Sequence, residues 1–301
     1  MPTIRQSLIA KLTKRYPFYS GCASVANKSL IHNFAGERTE CVWSHVPGGD
    51  VLAPLNDYVG RSAFYMGDLD RKLTWICSQI VSPGDTVMDI GANIGIVTLW
   101  LSRLVGETGQ VHAFEPNPEL QKILNATFDR NQVSNVHLHP IALGLEQGQI
   151  ELRVPRVNAG NASLLYHRDS GDCDVYKLSV RPLSQIMEEN HLTSIRLIKI
   201  DVEGFEANVL KGAEKIFESV RPEAILFELN ERWDGLVPDQ PMIKILRDLG
   251  YGFFSIPRCL LRMHLNRFGP DRATQLVGHD FLAVPQGESY EKIAKLVKAP
   301  S

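Results

Sequence analysis

The 301-residue sequence has no apolar run long enough to cross a bilayer: its best stretches are cut by charge or glycine within ten residues, well short of the roughly 18 to 20 that a spanning helix needs. A helical membrane span is not encoded. Cysteine is sparse, and Cys22, Cys41, Cys77, Cys173 and Cys259 are odd in number, far apart and without any C-x-x-C pair, so neither a zinc motif nor a disulfide framework is written here. Reduced thiols in a cytoplasmic protein are the expectation. Excess charge of either sign is also missing, with 32 Lys+Arg against 34 Asp+Glu and a formal net charge of −2, so nothing supplies the basic field of a dedicated nucleic-acid coat. No nucleic-acid partner is expected.

One local absence breaks this balance. Residues 1–36 contain Arg5, Lys11, Lys14, Arg15 and Lys28, and no acid occurs before Glu37. Ile4, Leu8 and Leu12 recur there at helical spacing. An acid-poor amphipathic segment of this kind fits a transit peptide, a membrane-surface helix or a short helix docking its apolar stripe on the main body. The docked helix is the reading adopted, and the lack of a long apolar core argues against a secretory signal.

What is present reads as an α/β protein. From residue 84 onward, buried-strand runs alternate with helical ones, the pattern of a mostly parallel sheet covered on both faces. Strands are predicted over 86–90, 110–114, 136–141, 195–200, 224–229, 251–255 and 280–284, with helices over about 95–104, 118–131 and 241–249. Runs over 149–154 and 175–181 alternate with period two around a polar loop and predict an inserted antiparallel pair. The organisation expected is a cap over 1–80 with short β-like runs near Val42 and Phe64, a main domain over 81–286 and a tail helix over 287–301.

The first chemical motif follows the first strand of the main domain: Asp89-Ile90-Gly91-Ala92-Asn93-Ile94-Gly95, a glycine turn leading into a helix. Glycine belongs where the backbone must approach a ligand and take φ values that other residues resist. The G-x-G-x-x-G dinucleotide pattern is poorly matched, because Asn93 stands where it requires glycine. Asp89 would repel a pyrophosphate and attract an ammonium or sulfonium, which favours a cationic ligand over a nicotinamide dinucleotide. The second strand ends at Glu115, placed to reach both ribose hydroxyls of a bound nucleoside.

These segments, together with Ala113-Phe114-Glu115-Pro116-Asn117-Pro118 and Ile198-Lys199-Ile200-Asp201-Val202-Glu203-Gly204-Phe205-Glu206, resemble the FkbM family of S-adenosylmethionine-dependent methyltransferases. The resemblance covers roughly residues 60–285 and extends to Tyr16–Asn27. It implies a class I methyltransferase (Rossmann-like) fold: a seven-stranded, mostly parallel sheet whose last strand runs antiparallel, with a small N-terminal cap and the inserted β-hairpin. It also implies S-adenosylmethionine as cofactor and a binding set of Asp89, Gly91, Ala92, Asn93, Gly95, Thr98, Glu115, Asn117, Ala142 and Asp201. Within that set Gly91, Asn93, Gly95 and Thr98 would hold the methionine moiety, Glu115 the ribose, and Ala142 would lie near the adenine.

Asp201, Glu203 and Glu206 follow the fourth strand at its carboxyl end, where open α/β sheets place their ligands. Asp201 and Glu203 are the candidate catalytic residues, because a hydroxyl acceptor must lose its proton as the new bond forms. The structural alternative is a helix N-terminal cap for Glu203 and a solvated helix charge for Glu206. A divalent metal held by Asp201, Glu228 and Asn230 is a rival arrangement, but no metal is assigned. His137 and His139 are expected to be packed or exposed strand residues and not catalytic ones, whereas His264 and His279 are candidates to border the acceptor pocket as bases, and the 155–174 loop is a candidate lid. The reaction expected is O-methylation of a hydroxyl on a sugar, glycan precursor or secondary metabolite, with a small-molecule or glycan acceptor as partner. N-methylation of an amine and a silent cofactor-binding module stand as alternatives, and oligomeric state is left open.

Overall fold

The structure is a computed structural model and describes residues 2–28, 31, 41–155, 173–202, 204–229, 236–272 and 280–298. A hairpin, β1 (Cys41–Val46) and β2 (Gly49–Pro54), precedes the main sheet. The main sheet uses β3 (Thr86–Ile90), β4 (Gln110–Phe114), β5 (Val136–His139), β9 (Leu197–Ile200), β10 (Ile225–Glu228), β11 (Tyr251–Ser255), β12 (Asn266–Phe268) and β13 (Asp280–Pro285). Its order is β12-β11-β13-β10-β9-β3-β4-β5. The pairings β4–β5, β3–β4, β3–β9 and β9–β10 are parallel, while β13 runs antiparallel to β10 and to β11. This is the class I methyltransferase arrangement, with one strand beyond the seven expected. The addition is the three-residue edge strand β12, formed within the 257–279 connection.

Central strands buried on both faces need near-continuous apolar sequence, which Val87, Met88 and Ile90 or Leu197, Ile198 and Ile200 supply. On one face Ile186, Met187, Val209, Leu210, Ile243 and Leu246 cover the sheet; on the other Ile76, Ile80, Leu101, Val105 and Ala294 do so. Because β4 lies on one side of β3 and β9 on the other, the chain reverses direction there, and the crevice at the carboxyl ends opens at that switch point.

Register brings Phe114, Ile90, Ile200, Phe227 and Phe281 into one row across five adjacent strands, all buried in one core cluster. The next row, at the carboxyl edge, is Glu115, Gly91, Asp201, Glu228 and Asp280. At about 4.8 Å per strand the row spans roughly 19 Å. An apolar course therefore seals the core directly beneath a course of four carboxylates and Gly91.

Three expectations need correction. The third strand, predicted over 136–141, ends at His139, because Pro140 lacks an N–H for the ladder. The chain then forms β6 (Ala142–Leu143), which joins β7 (Gly148–Pro155) and β8 (Cys173–Arg181) in a separate three-stranded sheet, so the inserted pair gains a parallel third member. The β-like run near Phe64 is a helix, Tyr58–Met66: Asp57 accepts from the N–H groups of Val59 and Gly60, and Gly67 at φ +73° ends it. A continuous apolar run does not distinguish helix from strand, and here the caps decide.

The third concerns the helix Ile4–Thr13, whose apolar stripe faces outward: Ile4, Leu8 and Leu12 are 82%, 58% and 67% exposed, while Gln6 and Ala10 are buried. Thr3 and Gln6 close a capping box, and the Thr13 hydroxyl donates to the Tyr65 carbonyl, fixing the polar and small face inward. Spacing shows which residues share a face but not which way that face points.

Candidate functional site

Gly91 follows β3 at φ +84°, and a Cβ placed there would sit 1.9 Å from the Asp201 carbonyl oxygen, so no other residue fits. The N–H groups of Gly91 and Ala92 both donate to the Phe114 carbonyl at 3.0 Å, which curls the turn towards β4. Asn93 takes φ +52°, its side-chain oxygen accepting from the Ile94 N–H at 2.8 Å. Gly95, at φ +91°, then opens the helix Ile96–Val105.

Glu115 is clamped in place by the backbone. One carboxylate oxygen accepts from the Asn93 N–H and the other from the Asn117 N–H, both at 2.9 Å. Burial pushes its carboxyl up to about 7, against the lowering effect of those two amides. The Asn117 side chain accepts from the Glu119 N–H and caps the helix Pro118–Asn131.

A lysine that the sequence reading left without a role lies under the turn. Lys199 Nζ donates to the Gly91 carbonyl at 2.8 Å and lies 3.2 Å from Asp89 and 3.5 Å from Asp201. Burial works to lower its ammonium, but the two carboxylates outweigh burial and hold it above the ordinary lysine value. The signal was present in the sequence: a charge inside the buried run Leu197–Ile200 is tolerated only with partners. Asp89 is fully buried, accepting from the Thr98 hydroxyl at 2.6 Å and facing Lys199.

These contacts lie beside a cavity of about 1160 Å³ at the carboxyl edge of the sheet. Of the residues predicted for the site, Gly91, Ala92, Asn93, Glu115, Ala142 and Asp201 line it. Asp89, Gly95, Thr98 and Asn117 do not, because each is spent on the wall: Asp89 and Thr98 neutralise and brace Lys199, Gly95 packs against Leu124, and Asn117 caps a helix. The expectation that Asp89 faces a cationic ligand is thus corrected, since Lys199 takes its charge. Glu203, Asn230, His279 and most of the 155–174 loop lie outside the described residues.

Glu228 lines the cavity, whereas the buried Glu206 accepts from the N–H groups of Val202 and Gly204 and shapes the turn after β9. His264 is exposed and does not line the cavity. His139 stacks on Phe114 and meets His112 at 3.0 Å, and burial with neighbouring imidazoles pushes both down to about 4. Among the described residues no group of three or more His, Cys, Asp or Glu is arranged around a metal-sized space.

The end of the cavity away from Glu115 is built partly by the cap, as expected for the acceptor pocket, though no motif marked its residues. Tyr58, Asp70 and Lys72 line it opposite Glu228, Ser255 and Asp280. Lys72 Nζ lies 2.8 Å from Asp280 and 3.2 Å from Asp70. Burial raises the Asp70 carboxyl to about 6, Lys72 opposing and Asp280 adding to the rise. For Lys72, burial lowers the ammonium but the two carboxylates raise it further.

Residues 89–253 match the Methyltransferase FkbM domain family. The chain is 29% identical over 151 residues to Methyltransferase 1 of Beauveria bassiana, covering 44% of this chain and 60% of that protein. It is 28% identical over 201 residues to the 31-O-demethyl-FK506 methyltransferase FkbM of Streptomyces tacrolimicus, covering 56% and 74%. It is 28% identical over 138 residues to the hexuronic acid methyltransferase AglP of Haloferax volcanii, covering 45% and 53%. It thus spans between about half and three quarters of the length of these relatives. With more than half of its residues inside the family match, and with the class I sheet order and glycine turn in place, the chain belongs to the FkbM family of S-adenosylmethionine-dependent methyltransferases.

Proposed function

We propose that this chain transfers a methyl group from S-adenosylmethionine to a hydroxyl of a small polyhydroxylated acceptor, such as a sugar, glycan precursor or secondary metabolite. The observation that carries this reading is the transverse row Glu115, Gly91, Asp201, Glu228, Asp280 along one cavity. At about 1160 Å³ the cavity exceeds the roughly 300–1,000 Å³ of a typical single-ligand pocket, which suits two ligands side by side. The names of two relatives, one acting on an O-demethyl compound and one on a hexuronic acid, agree with a hydroxylated acceptor.

The residues present fit the cofactor. Glu115 is a buried carboxylate preset by two amides for accepting from ribose hydroxyls, and Gly91 to Asn93 offer a backbone that no side chain obstructs. Ala142 borders the same end of the cavity, beside Ile141 and Leu143, and suits the adenine. When bound, S-adenosylmethionine supplies a methyl group made electrophilic by its sulfonium. The chain's task is to align the acceptor oxygen and to receive its proton.

Asp201 stands mid-row with its side chain 30% exposed, between the Glu115 end and the Lys72 end, and is the carboxylate that takes that proton. Lys199 fixes Asp201 and the Gly91 turn as one unit. At the far end the carboxylates of Asp70 and Asp280 accept from acceptor hydroxyls, while Lys72 donates to an acceptor oxygen.

The test is transfer of isotopically labelled methyl to a panel of methyl glycosides and vicinal diols, with mass spectrometry locating the label. Label on oxygen is the expected result. Transfer only to amines, or cofactor binding without transfer to any of these, contradicts the reading.

A further inference from the structure

The acid-free N-terminal segment leaves a feature that methyl transfer does not use. Ile4, Leu8 and Leu12 form an outward aliphatic stripe covering about 80° of the helix Ile4–Thr13, bordered by Lys11 on one side and Arg5 on the other. Arg15, just past the helix, is also exposed.

A second segment of the same character lies next to the chain that follows this helix. The Tyr19 N–H donates to the Leu260 carbonyl, and the Cys259 N–H donates to Ser20 Oγ, both at 3.0 Å. Leu260 and Leu261 are 58% and 72% exposed and the exposed Arg258 and Arg262 flank them; Arg258 and Leu260 also border the cavity, so the segment runs from its rim to the outer surface. The sequence contains no acid over 1–36 or over 256–265. Among the described residues none of these five cations is paired with a carboxylate. In a protein of net charge −2, aliphatics and cations without acids gather on two segments, the second bonded to residues 19 and 20 that follow the first.

We propose that the helix Ile4–Thr13 and the segment 258–262 together form a docking patch for an anionic lipid surface. The charge on the patch is complementary to anionic headgroups, and outward Leu and Ile beside Lys and Arg are the composition of a helix lying in a membrane interface. A second copy of the chain fits poorly: a twofold contact would bring the patch against itself, setting Arg5, Lys11 and Arg15 against their equivalents with no acid on either side. A folded protein partner would be met by aromatic anchors in the patch, whereas the exposed apolar side chains here are aliphatic. Docking is peripheral and reversible, since no helix among the described residues is long and apolar enough to span a membrane.

The experiment is flotation of the full chain with vesicles of phosphatidylcholine alone and of phosphatidylcholine mixed with phosphatidylglycerol. The chain is expected to float with the mixed vesicles at low salt, to remain behind with phosphatidylcholine alone, and to be released as salt rises. The double variant Leu8→Asp/Leu261→Asp, and separately Arg5→Glu/Arg15→Glu, should each lower partitioning by about tenfold or more while S-adenosylhomocysteine affinity, measured by titration, stays unchanged. Wild-type chain that ignores anionic vesicles, or that floats equally with neutral ones, overturns the proposal. So does a dimer in sedimentation velocity that the Leu8→Asp/Leu261→Asp variant dissociates, which would assign the face to a second copy.

Discussion

Glu115 is the buried carboxylate at the end of the cavity proposed to hold the cofactor. Burial raises its carboxyl from the ordinary value near 4.5 to about 7, so in the ligand-free fold the ionised form is disfavoured across the mildly acidic range. For an acid raised in this way, the stability it contributes is present below the ordinary value and is lost as pH rises towards about 7. Ribose hydroxyls donate to the ionised form, so cofactor binding should strengthen as pH rises through about 7 and should release a proton. Titration with S-adenosylhomocysteine in buffers of different ionisation enthalpy measures this directly, and Glu115→Gln should flatten the dependence. Affinity of the wild type that does not change between about pH 6 and pH 8 would show that Glu115 does not meet the ligand. Lys199 illustrates the other side of burial at this scale: its charge survives only because Asp89, Asp201 and the Gly91 carbonyl surround it.

The element scale explains what could be read in the sequence and what could not. The strands 86–90 and 110–114 and the helix Pro118–Asn131 were legible to the residue, because buried parallel strands are apolar throughout and Asn117 with Pro118 announces a helix start. The glycine turn and Glu115 were legible for a similar reason: each demands a residue type that strand packing does not. Asp89 was misread, because sequence position puts a carboxylate at a strand end without saying that a lysine two strand-residues before Asp201 will neutralise it. The split of 136–143 between two sheets and the outward turn of the first helix depend on tertiary partners that no local pattern carries.

A row of large apolar side chains supports the carboxyl edge from beneath. Phe227 is buried and stacks on Phe281 at 5.8 Å, so Phe227→Ala should cost about 3–5 kcal/mol in urea unfolding and weaken the residues of the row above it. A cost within about 0.5 kcal/mol would mean that the course does not support the edge.

Across the whole molecule the cap and the sheet share one cavity. Lys72 comes from the helix Arg71–Ile80, far in sequence from Asp280 at the start of β13, yet they meet at 2.8 Å. This is why that end of the cavity was invisible in the sequence: its residues carry no motif and are brought together only by the packing of residues 58–72 against the carboxyl edge. If that end holds the acceptor, Lys72→Met should raise the acceptor KM by about tenfold while S-adenosylhomocysteine affinity stays within about twofold of wild type. A parallel loss of acceptor and S-adenosylhomocysteine binding would mean that the lysine braces the cap and nothing more.

The net charge of −2 is thus a sum of unlike regions, with acids along the sheet edge and cations on the outer face of the first helix. Whether the Glu115 end of the cavity binds S-adenosylmethionine is measured by calorimetric titration of the full chain and of its Glu115→Ala variant. Saturable binding by the wild type and a loss of about tenfold or more in the variant are expected. Absence of binding by the wild type, or equal binding by both, would contradict that placement.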